Sequence, residues 1–99
     1  MDEPIAGLQQ IALAIHDRVT DALERASGVP LRRRIESAAE LVRHGEPGIG
    51  LENLCSNLHE FGVPIRAGEY EGIQAAGEVL NLPADTWTAL MEQVTLDPN

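Results

Sequence analysis

Sixteen acids, seven arginines and no lysine give this 99-residue chain a formal net charge of −9. The length fits one domain, residues 1–99, built around one core, and a hydrophobic share of 43% is that of a folded chain. The charge opposes binding to nucleic acid and to anionic membranes, which need a positive face. It suits a basic protein partner, and equally the plain role of keeping a small cytosolic protein in solution.

Phe61, Tyr70 and Trp87 are the only aromatics, so the core must be mostly aliphatic, as in helices packed on helices. Apolar residues at steps of three and four run through residues 4–27: Ile5, Leu8, Ile11, Ala12, Ile15, Val19, Ala22, Leu23 and Ala26. They predict one long first helix. Asp2 and Glu3 cap its start, Pro4 lies in its first turn, and Ser27-Gly28 with Pro30 ends it. Leu13, among Asp17, Thr20 and Glu24, falls on its outer side.

Residues 31–44 predict a second helix with Leu31, Ile35, Ala38, Ala39 and Val42 inward, stopped at Gly45. A third starts at Glu46-Pro47 and turns Leu51, Leu54, Cys55, Leu58 and Phe61 to the core; Gly62 and Pro64 end it. Gly48 and Gly50 weaken its first turns by up to about 1 kcal/mol each. A fourth helix spans about 67–80, with Tyr70, Ile73, Ala76, Gly77 and Leu80 inward. A fifth spans about 83–95 and buries Trp87, Leu90, Met91 and Val94. No stretch alternates with period two, so no strand is expected. The fold class is all-α, a compact bundle of about five helices with short links.

Candidate chemistry is sparse. Cys55 and His59 sit one helical turn apart, the spacing of a nucleophile and a base, but Cys55 falls toward the apolar face and reads as a small buried hydrophobe. No further ligands at metal spacing accompany them. His16-Asp17 and His44 are isolated, and Glu36 and Glu40 lie among arginines as surface charges do. The glycines at 45, 48 and 50 follow a helix, whereas a phosphate loop follows a strand. Arg32-Arg33-Arg34 is the one basic run and reads as a solvated face paired with nearby acids. No enzyme, metal or cofactor is expected. A single cysteine excludes an intrachain disulfide, residues 1–10 lack a basic targeting region, and no apolar run approaches the roughly 20 residues of a membrane span. The expected location is the cytoplasm.

Charge is unevenly spread. Residues 31–44 hold four arginines and two acids, hence +2, whereas residues 45–99 hold nine acids and Arg66, hence −8. On the third helix Glu52, Asn53, Ser56, His59 and Glu60 project away from the apolar stripe; Glu46 precedes them, and Glu69 and Glu71 flank Tyr70. Carboxylates with amides and a tyrosine suit a basic protein surface.

The run HGEPGIGLENLCSNLHEFGVPI at 44–65, then GEYEGI, then NLPADTWTALME, resembles the MafI family of bacterial immunity proteins and the wider set of small helical immunity proteins of colicin D type. The residues carrying the resemblance are His44, Gly45, Glu46, Gly48, Leu51, Glu52, Leu54, Leu58, Glu60, Pro64, Ile65, Glu69 and Tyr70. It covers roughly residues 35–92. Gly50 stands where the pattern has alanine, and Arg66 where serine, threonine or aspartate would cap better. The resemblance implies a non-catalytic monomer that binds one copy of a cognate secreted toxin domain of the polymorphic or contact-dependent kind. Such toxins are often nucleases with a basic substrate surface. The residues expected to make such a contact, from their outward projection and charge, are Glu46, Glu52, Asn53, Ser56, His59, Glu60, Glu69, Tyr70 and Glu71. The alternatives are a helical adaptor or regulatory module with another partner, and a small enzyme using Cys55 and His59.

Overall fold

The computed structural model describes residues 3–95; Asp2, expected in the first cap, lies outside them. Six α-helices form in the order α1 (Glu3–Arg18), α2 (Asp21–Ser27), α3 (Leu31–Arg43), α4 (Pro47–Glu60), α5 (Ala67–Val79) and α6 (Asp85–Thr88). A 3-10 turn, Ala89–Gln93, continues α6. The chain is therefore all-α, as its apolar spacing predicts, with a Cα radius of gyration of 12.4 Å. That value matches a single compact domain of this length.

The core is aliphatic. Leu8, Ile15, Leu31, Ile35, Leu51, Leu54, Leu58, Ile65, Ile73 and Leu90 are fully buried, and Trp87 is the one aromatic sealed among them. Packing runs from α5 to α1 to α3 to α4, while α6 and the 3-10 turn bridge α4 back to α5. The α3–α4 pair is the most extensive, and Gly50 explains it. A β-carbon there would lie 2.8 Å from Val42 Cγ2 and 2.9 Å from the Ala38 carbonyl oxygen. The glycine expected to weaken α4 instead lets two helix backbones meet, which alanine would prevent.

The predicted first helix is two. Residues 19–20 interrupt it, and Thr20 caps α2 by accepting a hydrogen bond from the Leu23 N–H at 3.1 Å. The carbonyl orphaned at Val19 is taken by Arg32, whose Nη2 and Nε donate to it at 2.6 and 3.1 Å. Arg32 also pairs with Asp21 at 2.8 Å, and its own N–H donates to Glu24 Oε1 at 2.9 Å. Glu24 thereby caps α3, whose own N-cap, Pro30, offers no side-chain acceptor. In consequence α2 buries no residue: Ala22 and Ala26, expected inward, are exposed.

The fifth helix is also shorter than expected. It closes as a 3-10 turn, and Gln93 reaches the end of α4 and the loop after it, where its amide donates to the Leu58 and Val63 carbonyls at 2.7 and 3.0 Å. Met91, expected inward, is 61% exposed. Contrary to the strand-free expectation, Ile65–Arg66 (β1) and Val94–Thr95 (β2) then pair in parallel, Ile65 opposite Val94. Two residues per strand leave no period for the sequence to display.

Arg18 ties the end of α1 to the start of α5. Its Nη1 and Nη2 donate to Glu69 Oε2 and Oε1 at 2.5 and 2.6 Å, a bidentate pair. The hydrogen-bonded Glu69 raises the guanidinium pKa further above its ordinary value. Glu69 also accepts from the Arg66 N–H at 2.9 Å. Arginine has no acceptor to cap α5, so the carboxylate three residues on performs the reverse half of a capping box. Arg18→Ala strands a carboxylate that is only 11% exposed and is expected to cost about 1–3 kcal/mol, read by urea denaturation. A loss below about 0.5 kcal/mol would place the pair with ordinary surface bridges.

Candidate partner-binding face

α4 carries two faces. Its inner stripe of Leu51, Leu54, Cys55 and Leu58 is buried, which fixes the rotation of the helix. The rotation turns Glu52, Asn53, Ser56, His59 and Glu60 outward, all exposed, with Glu46 exposed just before the helix. These six expected contact residues are brought together on one rigid element. Pro47 starts that element, and Gln93 satisfies its last buried carbonyls.

The three expected residues on α5 are placed differently. Glu69 is bound to Arg18 and to the Arg66 N–H, so its carboxylate is spent inside the fold and is not presented to a partner. Tyr70 is half-buried and packs against the core, while Glu71 is exposed. α5 packs chiefly on α1 and α4 chiefly on α3, so Glu71 and the α4 residues stand on different helix pairs.

Reading the polar pattern alone misses Ile49, which is 51% exposed. It lies four, seven and eleven residues before Asn53, Ser56 and Glu60, in the middle of the same outward stripe. The usable signal is a large apolar side chain in register with a polar face.

Few positive charges offset the acids from residue 45 onward. Glu46, Glu52, Glu60, Glu71, Glu78, Asp85 and Glu92 are all exposed, and none forms an ion pair among the described residues. Arg66 is the sole arginine from residue 45 onward. The basic run is consumed elsewhere. Arg32 holds the α1–α2 joint, and Arg34 donates to Asn57 Oδ1 at 3.4 Å while standing 5.8 Å above the Phe61 ring. Arg33 is exposed.

Cys55 is buried, and burial alone pushes its thiol up to about 12, whereas His59 is exposed and makes no hydrogen bond to it. The thiol therefore lacks the electropositive, accessible setting of a reactive cysteine. Near pH 8 the folded protein therefore holds Cys55 as the neutral thiol. A thiol reagent is expected to label Cys55 far more slowly in native than in urea-unfolded protein. The shift also sets an alkaline limit. Below an ordinary thiol value of 9.0 both states hold the proton. As pH rises further the unfolded chain ionises first, so stability falls by up to roughly 1.4 kcal/mol per pH unit until about 12. Cys55→Ala is expected to flatten that decline in pH-dependent urea denaturation.

No group of three or more histidine, cysteine or carboxylate side chains is arranged for a metal among the described residues. Every buried side-chain nitrogen and oxygen described has a hydrogen-bond partner. No described helix is long and apolar enough to cross a membrane. An open cavity of about 360 Å³ lies on α3, lined by Ser37, Glu40, Leu41 and His44. Comparison with known protein families, with curated proteins and with solved structures gives no match for this chain.

Proposed function

We propose that this protein is an immunity protein: it binds a secreted bacterial toxin domain in the cytoplasm and neutralises it by covering a basic surface, a nuclease being the toxin class that best fits. The observation that carries the reading is the outer face of α4. Glu52 and Glu60 stand there exposed and, among the described residues, in no ion pair, on a helix whose opposite stripe is locked in the core. Carboxylates fixed in this way lose little freedom on binding and speed the approach of an opposite charge. The MafI-like residues at 44–60 coincide with this helix and add to the reading. Action is stoichiometric, one chain to one toxin domain, without cofactor.

The test is co-expression with the C-terminal domain of a large secreted protein, should the neighbouring gene encode one. A 1:1 complex on size exclusion with multi-angle scattering, and relief of growth arrest, are expected. No complex and no relief would overturn the reading and leave an adaptor for another partner as its replacement.

A further inference from the structure

We infer that residues 83–95 form a latch: α6, the 3-10 turn and β2 open and close as one unit while α1–α5 stay folded. The segment starts at a clean hinge. α5 finishes without help from it, because Asn81 takes the left-handed conformation at φ 59° and the Asn81 and Leu82 N–H groups donate to the Glu78 and Gly77 carbonyls at 3.1 and 3.0 Å. Pro83 follows, with no N–H to give. The bonds that build α6 are then internal: the Thr86 N–H donates to Pro83, and those of Trp87 and Thr88 to Ala84, at 2.9, 3.1 and 3.0 Å.

The ties to the body are few. Among the described residues, the polar ones are the Gln93 amide on the Leu58 and Val63 carbonyls, the Thr95 hydroxyl on the Ile65 carbonyl at 3.2 Å, and the two-residue pairing of β1 with β2. Trp87 and Leu90 are the segment's only buried side chains; Thr88, Ala89, Met91 and Glu92 are exposed. By contrast, α1, α3, α4 and α5 each bury at least three residues. Opening strands little, since the Leu58 carbonyl keeps the Val63 N–H at 3.0 Å and the other freed groups reach water. It bares the α5 surface at Gly77, against which the Trp87 ring is pressed, and the Ile65 edge. A four-residue helix has no stability of its own, so α6 loses its support once Trp87 lifts away and the segment opens whole. Elements with few buried apolar side chains and short polar ties open below the free energy of global unfolding.

Native-state hydrogen exchange on the full chain, followed from zero to low urea, tests the latch. The amides of Trp87, Thr88 and Val94 are hydrogen-bonded inside the segment. They are expected to share one opening equilibrium with a shallow urea dependence, and to be protected about a hundredfold or more less than the amides of Ile35 and Leu54. Gly77→Ala places a β-carbon against the Trp87 ring in the closed state alone, and should speed exchange of the three amides about tenfold. Ile35 and Leu54 should respond by a smaller factor, because the alanine also strengthens α5, which the open state retains. If the three amides exchange together with Ile35 and Leu54 and show their full urea slope, the segment belongs to the cooperative core and the latch is refuted. If each opens at its own rate, with no common response to Gly77→Ala, residue-by-residue fraying replaces it.

Discussion

Trp87→Ala is expected to lower stability by about 3–5 kcal/mol. A domain of this kind holds only about 5–15 kcal/mol in total, so the midpoint of thermal unfolding should drop by well over 10 °C. Trp87 is 3% exposed on the four-residue helix α6. With Leu90 and the Gln93 amide it holds residues 83–93 to the rest. The ring lies flat on Gly77: a β-carbon at that glycine would stand 2.2 Å from Trp87 Cζ3. Gly77→Ala therefore opposes two effects. Alanine gains about 1 kcal/mol of helix propensity in α5, while overpacking against a sealed ring costs about 1–3 kcal/mol. The clash is expected to win in the wild-type background. Once Trp87 is alanine the clash is gone, and Gly77→Ala should turn stabilising. A double-mutant cycle by urea denaturation reads the reversal. A stabilising Gly77→Ala in the presence of Trp87 would refute this account of the contact.

The same contact shows what the sequence could and could not reveal. α3, α4 and α5 begin and end within a residue or two of expectation, because their apolar stripes are long and Gly45, Pro47, Gly62 and Asn81-Leu82-Pro83 punctuate them. The break at 19–20 was hidden because Ile15, Val19 and Leu23 keep helical spacing straight through it. Thr20-Asp21 is a cap signal, but only Arg32, on another helix, makes the interruption cheap by taking the Val19 carbonyl. The end of the chain misled for a similar reason. Trp87, Leu90, Met91 and Val94 have helical spacing, yet the Gln93 amide finds its acceptors 30 and 35 residues away.

The candidate face divides along the same line. Exposure of Glu52, Asn53, Ser56 and Glu60 was legible as the complement of the Leu51–Leu58 stripe, since one helix determines both. Glu69 was not, because its partner Arg18 lies 51 residues earlier and no local pattern links them. The glycine at 50 is explained only by Ala38 and Val42 across the helix pair. What periodicity reports is the direction of a side chain. Whether that side chain is already engaged depends on the fold.

On the proposed immunity role, reversing Glu52 and Glu60 to lysine together should slow toxin association by at least tenfold at low salt, while leaving the fold intact. Both positions are exposed and in no ion pair among the described residues, so the substitution disturbs no native contact, and urea midpoints should stay within about 0.5 kcal/mol of wild type. The change moves the formal charge from −9 to −5, two charges for each glutamate reversed. A general charge effect alone would be matched by reversing Glu78 and Asp85, which alters the net charge equally but lies on α5 and α6. The α4 pair should slow association much more than that control pair, and raising ionic strength should shrink the difference as the Debye length falls from about 10 Å at 0.1 M to about 3 Å at 1 M. Protection of cells from the toxin should weaken in the same order. Equal slowing by the two pairs would mean that the protein steers its partner by overall charge and that α4 is not the face it offers.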